Sequence, residues 1–221
     1  MGKVTANKRL VIVSSGDSSK FEQYSKERYG KFDVALLYYG TDNKFDESLY
    51  DYYLEINKFK YRNIWTFLQQ NPHLVEQYDT FWLPDDDIEA DAILVDKLLD
   101  YFEEHGIYIG QPSIDRSGFW SHDSESYNTA KLVEYDFKGS EVEVMMPIFT
   151  RESLNRYLPH FERSYSGWGL DSLWSHLSSR DKKKIGVIHK YSVKHNRPVG
   201  SGSLYKSLEG IGITPMGELD Y

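Results

Sequence analysis

The chain has no cysteine. That absence removes disulfides, zinc–thiolate sites and any thiol nucleophile, and it carries little information on compartment. Also missing is any apolar run near the roughly 18 residues that a membrane-spanning helix needs. Met1 to Arg9 contains no long apolar stretch, and Leu10–Val13 is too short to act as the core of a signal peptide. A cytoplasmic protein without a membrane span is the expectation. There is no excess of positive charge: 26 Lys and Arg stand against 34 Asp and Glu, for a net charge of −8. Such a surface does not grip a phosphate backbone, so nucleic acid is not an expected partner.

Several catalytic signatures are absent too. There is no P-loop and no Gly-x-Ser-x-Gly elbow. Gly200-Ser201-Gly202 follows no convincing strand, so a dinucleotide fingerprint is not supported. An EF-hand loop starting at Asp85 fails at its sixth position, where Ala90 stands in place of the required glycine. No internal repeat is visible.

What is present is enough apolar material for one sizeable core, 40% of 221 residues, and one domain is the default. Eighteen tyrosines and five tryptophans are many for this length. Their faces can stack on sugar rings or bases, although most belong to packing. Basic residues cluster at Lys58, Lys60 and Arg62, where an anionic ligand or a solvated helix start fits equally, and at Lys182–Lys184, which reads as a solvated loop.

Strand and helix patterns alternate over residues 8–111. Lys8–Ser14 reads as a strand opening into the loop Ser15–Ser19, and Phe21–Arg28 as a helix. Phe32–Tyr39 reads as a second strand, ended by Gly40–Asn43, while Ser48–Ile56 is ambiguous. Arg62–Gln70 reads as a helix, Tyr78–Leu83 as a buried strand, Ile88–Glu104 as helical and Ile107–Ile109 as a short strand. This alternation predicts an α/β domain with a mostly parallel sheet. In such sheets ligands bind at the carboxyl ends of the strands, where the Ser14–Asp17, Gly40–Asn43 and Asp85–Asp87 loops all fall. Further on, Ser113–Asn128 reads as a loop over the site. Val142–Phe149 reads as a strand, Arg151–Leu158 as a short helix, and Gly167–Asp171 as the start of another. Ile185–Ile188 is the last expected strand. Asn196–Tyr221 is Gly- and Ser-rich and is expected to be extended or mobile.

Asp85-Asp86-Asp87 after the apolar run Phe81-Trp82-Leu83-Pro84 is the most informative feature. Carboxylates this close repel unless a cation or a proton sits among them. Asp85 and Asp87, two apart on an extended backbone, can project to one side, and oxygen ligands at that spacing suit Mg²⁺ or Mn²⁺. An acidic helix N-terminus is the competing explanation, because carboxylates favour that end of the dipole. An aspartyl nucleophile for phosphoryl transfer also uses Asp-x-Asp, but normally after the first strand of its domain. Here the triplet follows roughly the third.

Three segments together carry a resemblance. Phe81–Asp87 resembles the strand and Asp-x-Asp of GT-A glycosyltransferases. Val142–Arg151 resembles a block in a plant and bacterial family of uncharacterised glycosyltransferase-like proteins. In that family the block is followed by Trp-Gly-Leu/Met-Asp, here Trp168-Gly169-Leu170-Asp171, and then by a strand and a histidine, here Gly186-Val187-Ile188 and His195. Order and spacing fit over about 110 residues, with a looser match at Phe32–Val34 and Tyr38–Gly40.

The resemblance implies a single GT-A-like domain that uses a nucleotide-sugar donor, a divalent cation (Mn²⁺ or Mg²⁺) and a glycan or saccharide acceptor. Residues 8–111 form its nucleotide and metal half, and residues 112–195 its acceptor and catalytic half. It implies Asp87 as the main metal ligand, Asp85 reaching ribose or metal, and His195 supplying a nitrogen. Asp171 becomes the candidate base, on the pattern of inverting enzymes, where a helix N-cap is the plainer role. Leu170 stands where many inverting GT-A enzymes carry an extra Glu. Glu143 is a second acidic candidate, and Trp168 with Gly169 a candidate wall for the acceptor sugar. Ser14, Ser15, Asp17 and Asp42, with Lys58 and Asp86, are positional candidates for donor contacts, since strand-end loops carry such contacts. A non-catalytic carbohydrate- or nucleotide-binding module and a metal-dependent phosphoryl-transfer enzyme remain the alternative functions.

Overall fold

The computed structural model describes residues 7–42, 45–120, 137–139, 142–198, 200 and 204–218. Branched and aliphatic runs build β1 (Arg9–Ser15) and β2 (Asp33–Tyr38), separated by the single-turn helix α1 (Glu22–Ser25). A 3-10 turn (Glu47–Leu49) leads to β3 (Tyr52–Glu55). Helices α2 (Lys60–Gln70) and α3 (His73–Gln77) precede β4 (Thr80–Trp82) and the two-residue β5 (Ile88–Glu89). Then come α4 (Ala92–Glu104), β6 (Ile109–Ile114), β7 (Phe137–Gly139), β8 (Ile148–Thr150) and α5 (Arg151–Phe161). The chain continues through α6 (Leu170–Arg180), the long β9 (Ile185–His195), α7 (Leu204–Gly210) and α8 (Pro215–Glu218).

The strands lie in the order β3-β2-β1-β4-β8-β6-β9-β5, with β7 paired to β9 off this path. β3, β2, β1 and β4 are mutually parallel, and β6 runs parallel to β9. Antiparallel β8 joins the two parallel sets. The sheet is therefore mostly parallel, as the strand–helix alternation predicts. Both faces are buried, as parallel sheets require. Along β1, Val11 and Val13 face Trp82, Val95, Leu98 and Phe102, while Leu10 and Ile12 face Ile64, Phe67, Phe81 and Trp174. This period of two divides the core into a layer under α4 and a layer under α2, α5 and α6. Among the described residues no helix is long and apolar enough to cross a membrane.

Four local expectations differ from the structure. Ile88–Glu89 is a strand rather than the first turn of a helix, and α4 starts after Asp91, whose side chain accepts from Leu94 N at 2.7 Å. The Asp85–Asp87 triplet is thus not a helix N-terminus. Of Val142–Phe149 only Ile148–Phe149 is strand, because Pro147 has no N–H for the ladder. Helix α5 runs through Pro159 to Phe161. The tail holds two helices, Leu208 is buried, and Glu218 accepts from the backbone N–H groups of Tyr165 and Ser166. Residues 121–128 of the expected loop over the site lie outside the described residues.

Candidate active site

A cavity of about 960 Å³ opens at the carboxyl ends of β1 and β4. Register explains why residues far apart in sequence line it together. Ile88 of β5 pairs with His195 at the end of β9, which brings His195 beside Asp87. The two are buried, with His195 Nε2 3.2 Å from Asp87 Oδ2. His195 Nδ1 lies 2.7 Å from the carbonyl of Phe119. Donation to that carbonyl fixes the ring and turns Nε2 towards the carboxylate. Burial opposes charge on both partners. The bond between them prevails, raising the His195 pKa above its usual 6.5 and holding the Asp87 carboxyl below its usual range.

The other two carboxylates are held differently. Asp85 Oδ1 accepts from Lys60 Nζ at 2.6 Å, and the same ammonium donates to the carbonyls of Val144 (2.8 Å) and Met145 (2.7 Å). An ammonium has three protons, so Lys60 is fully satisfied. Burial pushes the Asp85 carboxyl up and the Lys60 amine down, and their mutual attraction works against both shifts. Asp86 is buried and takes Gly16 N (3.1 Å) and the Tyr39 hydroxyl (2.7 Å) on one oxygen, and Arg197 Nη2 (3.0 Å) on the other. Burial, then the charge of Asp86, drives the Tyr39 pKa upward, so its hydroxyl stays a donor. Asp86 thereby ties the loop after β1 to the acidic triplet.

Asp171 and Glu143 both line the cavity. Asp171 occupies the first turn of α6, where its Oδ1 accepts from Ser172 N at 2.7 Å. Gly169, with φ of +86°, makes the turn before it, a conformation that disfavours side chains. Trp168 also lines the cavity and is 39% exposed. Glu143 sits in the irregular stretch before β8, its backbone N–H donating to Gln111 Oε1 at 2.5 Å. Ser14 and Lys58 line the cavity, Ser14 Oγ receiving Asn63 Nδ2 at 2.7 Å. Ser15, Asp17 and Asp42 are not part of the lining formed by the described residues. Ser15 is fully buried. Asp17 instead clamps its neighbouring loop, accepting from the Tyr38 hydroxyl and from the backbone N–H of Thr41 (3.2 Å) and Asp42 (3.1 Å).

The site also uses residues that the sequence did not single out for it. Arg197 bridges Asp86 and Asp87, its Nε 3.6 Å from Asp87 Oδ2. Tyr61 donates to the carbonyl of Val144 at 2.7 Å, and Asn63 joins α2 to β1. The Lys58-Lys60-Arg62 cluster was the available signal for Lys60, but its partner lies across the fold. Among the described residues no group of three His, Cys, Asp or Glu side chains is arranged to hold a metal ion. The Asp87–His195 pair nonetheless has suitable donor chemistry. It offers a carboxylate oxygen beside an imidazole nitrogen whose opposite edge is anchored by a carbonyl, the usual support for a ligating histidine.

The profile described as "Protein of unknown function (DUF707)" matches residues 11–209. The chain belongs to the DUF707 family. No curated protein matches it. Among solved structures, this DUF707 chain is similar to GalNAc-T7 with UDP, GalNAc and Mn²⁺, at 11% identity and a TM-score of 0.55, over 97% of this chain and 50% of that one. It is similar to residues 1–349 of S. aureus TarS in complex with UDP, at 12% identity and a TM-score of 0.56, over 91% of this chain and 63% of that one. A further S. aureus TarS structure matches at 15% identity and a TM-score of 0.54, over 92% and 39%. The DUF707 chain thus spans less than two thirds of each of these chains. At such identities the likeness establishes the fold, and that fold is GT-A, as the sequence resemblance implies.

Proposed function

We propose that this protein is a metal-dependent glycosyltransferase that moves a sugar from a nucleoside diphosphate to a hydroxyl of a saccharide acceptor. The observation that carries the reading is a single cavity at the strand ends lined by the acidic triplet, His195 and Asp171. The GT-A fold, and neighbours solved with UDP and with Mn²⁺, support it.

Asp87 and His195 would hold the divalent cation, which when bound supplies Lewis-acid stabilisation of the departing diphosphate. Lys60 fixes Asp85 at the cavity wall, within reach of a bound donor. Arg197 adds positive charge on the same side, and Ser14 and Lys58 line the nucleotide end of the cavity. Asp171 acts as the base. Its carboxylate takes the acceptor hydroxyl proton as that oxygen bonds to the anomeric carbon. The bond from that carbon to the donor phosphate oxygen breaks, and its electron pair leaves on the diphosphate. A single displacement of this kind inverts the anomeric centre. Glu143 is the alternative base, and Trp168 with Gly169 forms the acceptor wall.

The test is thermal stability with UDP, GDP, CDP, ADP and their sugars, each with Mn²⁺ or with EDTA, for the wild type and Asp87→Ala. Ligand at about 100 Kd stabilises the native state by about 2.7 kcal/mol. The expected result is a Mn²⁺-dependent shift with one nucleotide family, lost in the variant. Unchanged donor affinity in Asp87→Ala refutes the reading. A binding module without turnover is the second reading, favoured by the commitment of Asp85 to Lys60. Such a module would hold the donor with Mn²⁺ without hydrolysing it.

A further inference from the structure

The loop that leads to Trp168 and Asp171 is held by the far end of the chain. Glu218 of α8 accepts from the backbone N–H of Tyr165 at 2.5 Å and of Ser166 at 2.6 Å, and from the Ser166 hydroxyl. The Ser166 oxygen in turn accepts from Trp168 N at 3.1 Å. The polarity runs one way, from the Trp168 amide through the Ser166 hydroxyl to the carboxylate. A chain of this kind reinforces each of its bonds. One turn earlier Ser164 Oγ accepts from Gly167 N at 3.0 Å, so this loop has few amides left to choose another shape.

The space around the loop is equally specified. A Cβ on Gly167 would approach the Tyr61 ring at 3.1 Å, and the Gly167 φ of +86° already disfavours a side chain. The Tyr165 ring packs edge-on to Phe59 and lies under the Arg62 guanidinium at 4.3 Å. Only the Glu218 end of this arrangement comes from outside the sheet-and-helix body, and a carboxylate on two amides and a hydroxyl is a strong, charge-assisted contact.

We propose that Glu218 is a positioning residue for the Ser164–Asp171 loop, setting the acceptor wall at Trp168 and the base at Asp171. The inference rests on the glycosyltransferase reading for the word acceptor, but its structural core does not. Residues 204–211 agree with it, because Leu204, Tyr205, Ser207 and Ile211 also line the cavity. The C-terminal segment is then a working wall of the site, and the donor side at Asp85–Asp87 does not depend on Glu218.

Glu218→Gln is the sharp variant. It keeps the shape but puts an NH₂ group where a second acceptor is needed. Ser166→Ala is the companion, cutting the relay while leaving Glu218 in place. Hydrogen exchange of the full chain, without substrate, should show the Trp168 amide exchanging about tenfold faster in both variants. The Tyr165 amide should do so in Glu218→Gln. With a turned-over donor and acceptor, the acceptor KM should rise or kcat fall about tenfold while the donor KM stays fixed. Unchanged exchange at Trp168 in both variants overturns the proposal, as does a loss confined to the donor KM. A wild type that binds no sugar nucleotide would instead remove the glycosyltransferase reading, with the exchange data still deciding the role of Glu218.

Discussion

Replacing Lys60 by methionine keeps an unbranched stem, one atom shorter, and removes the charge. In the wild type the ammonium reaches Asp85 and two carbonyls within 2.8 Å. Removing one partner of a buried pair costs about 3–5 kcal/mol. The Asp85 side chain is 34% exposed, so water recovers part of that, and about 2–3 kcal/mol remains. For a domain of this size 1 kcal/mol moves Tm by about 2–4 °C, so Lys60→Met should melt about 5–10 °C lower at neutral pH. The loss is pH-dependent with a definite sign. Without the ammonium, burial and the neighbouring carboxylates raise the Asp85 pKa further, so the buried charge is penalised above that pKa and relieved by protonation below it. The gap between variant and wild type should therefore narrow as pH falls from 7 to 5. Adding Asp85→Asn to Lys60→Met should recover much of the loss, since the unpaired charge is gone. With the single Asp85→Asn as the fourth protein, calorimetry or circular dichroism melts of the set across pH complete the cycle. A Lys60→Met protein melting within about 1 °C of wild type at pH 7 would refute the reasoning.

The remaining predictions concern the two ends of the cavity. His195, with its raised pKa, contributes stability that is full below its unfolded value near 6.5 and is lost as pH rises through the folded value. Asp87, with its lowered pKa, contributes stability present above its unfolded value and lost as pH falls through the folded one. Metal-free protein should thus gain from this pair in the window between them, and the Tm–pH curve of His195→Gln should lack the decline above about pH 6.5. A variant curve parallel to wild type would count against the pair. Asp171→Asn removes the base without changing shape. It should cut kcat by about 10²–10⁴-fold with donor binding intact. Transfer at the wild-type rate would move the role to Glu143.

Three of the parallel strands, β1, β2 and β4, are legible because each is a short apolar run closed by Gly or Asp, a purely local pattern, whereas β3 lies in the ambiguous aromatic and acidic stretch Ser48–Ile56. The acidic triplet was readable as an oddity for the same reason, since three adjacent carboxylates after an apolar run need an explanation from nearby. What could not be read is what those carboxylates meet. Lys60 reaches Asp85 from the first residue of α2, and Arg197 arrives at Asp86 from two residues past the end of β9. Neither pairing leaves a periodicity in sequence. Ile88–Glu89 reads as helical because the helical spacing from Ala92 to Phe102 follows directly, but its pairing with His195 and Lys194 is decided by the sheet edge. Asp17 was placed near the ligand by its position after β1, but its carboxylate is spent on its own loop. The tail reads as mobile by composition, whereas its Leu208 is buried and its Glu218 is bonded to the loop at Tyr165 and Ser166, contacts that composition does not reveal.

The short ladder between β5 and β9 has a consequence for the order in which the molecule is made. The Asp87 carbonyl receives the side-chain amide of Asn196, 109 positions away. Closing a loop of that length costs about 4 kcal/mol of chain entropy beyond the constant of initiation. A nascent chain that has emerged only as far as α6 carries its three carboxylates with no histidine beside them and no Arg197 above them. Its acidic triplet then has Lys60 as its bonded cation, with only the Gly16 amide and the Tyr39 hydroxyl besides to offset the mutual repulsion. The contacts that assemble the cavity are therefore late ones, and β9 acts as the closing seam. Folding should show a fast parallel half and a slower step in which the seam forms and the cavity appears with it.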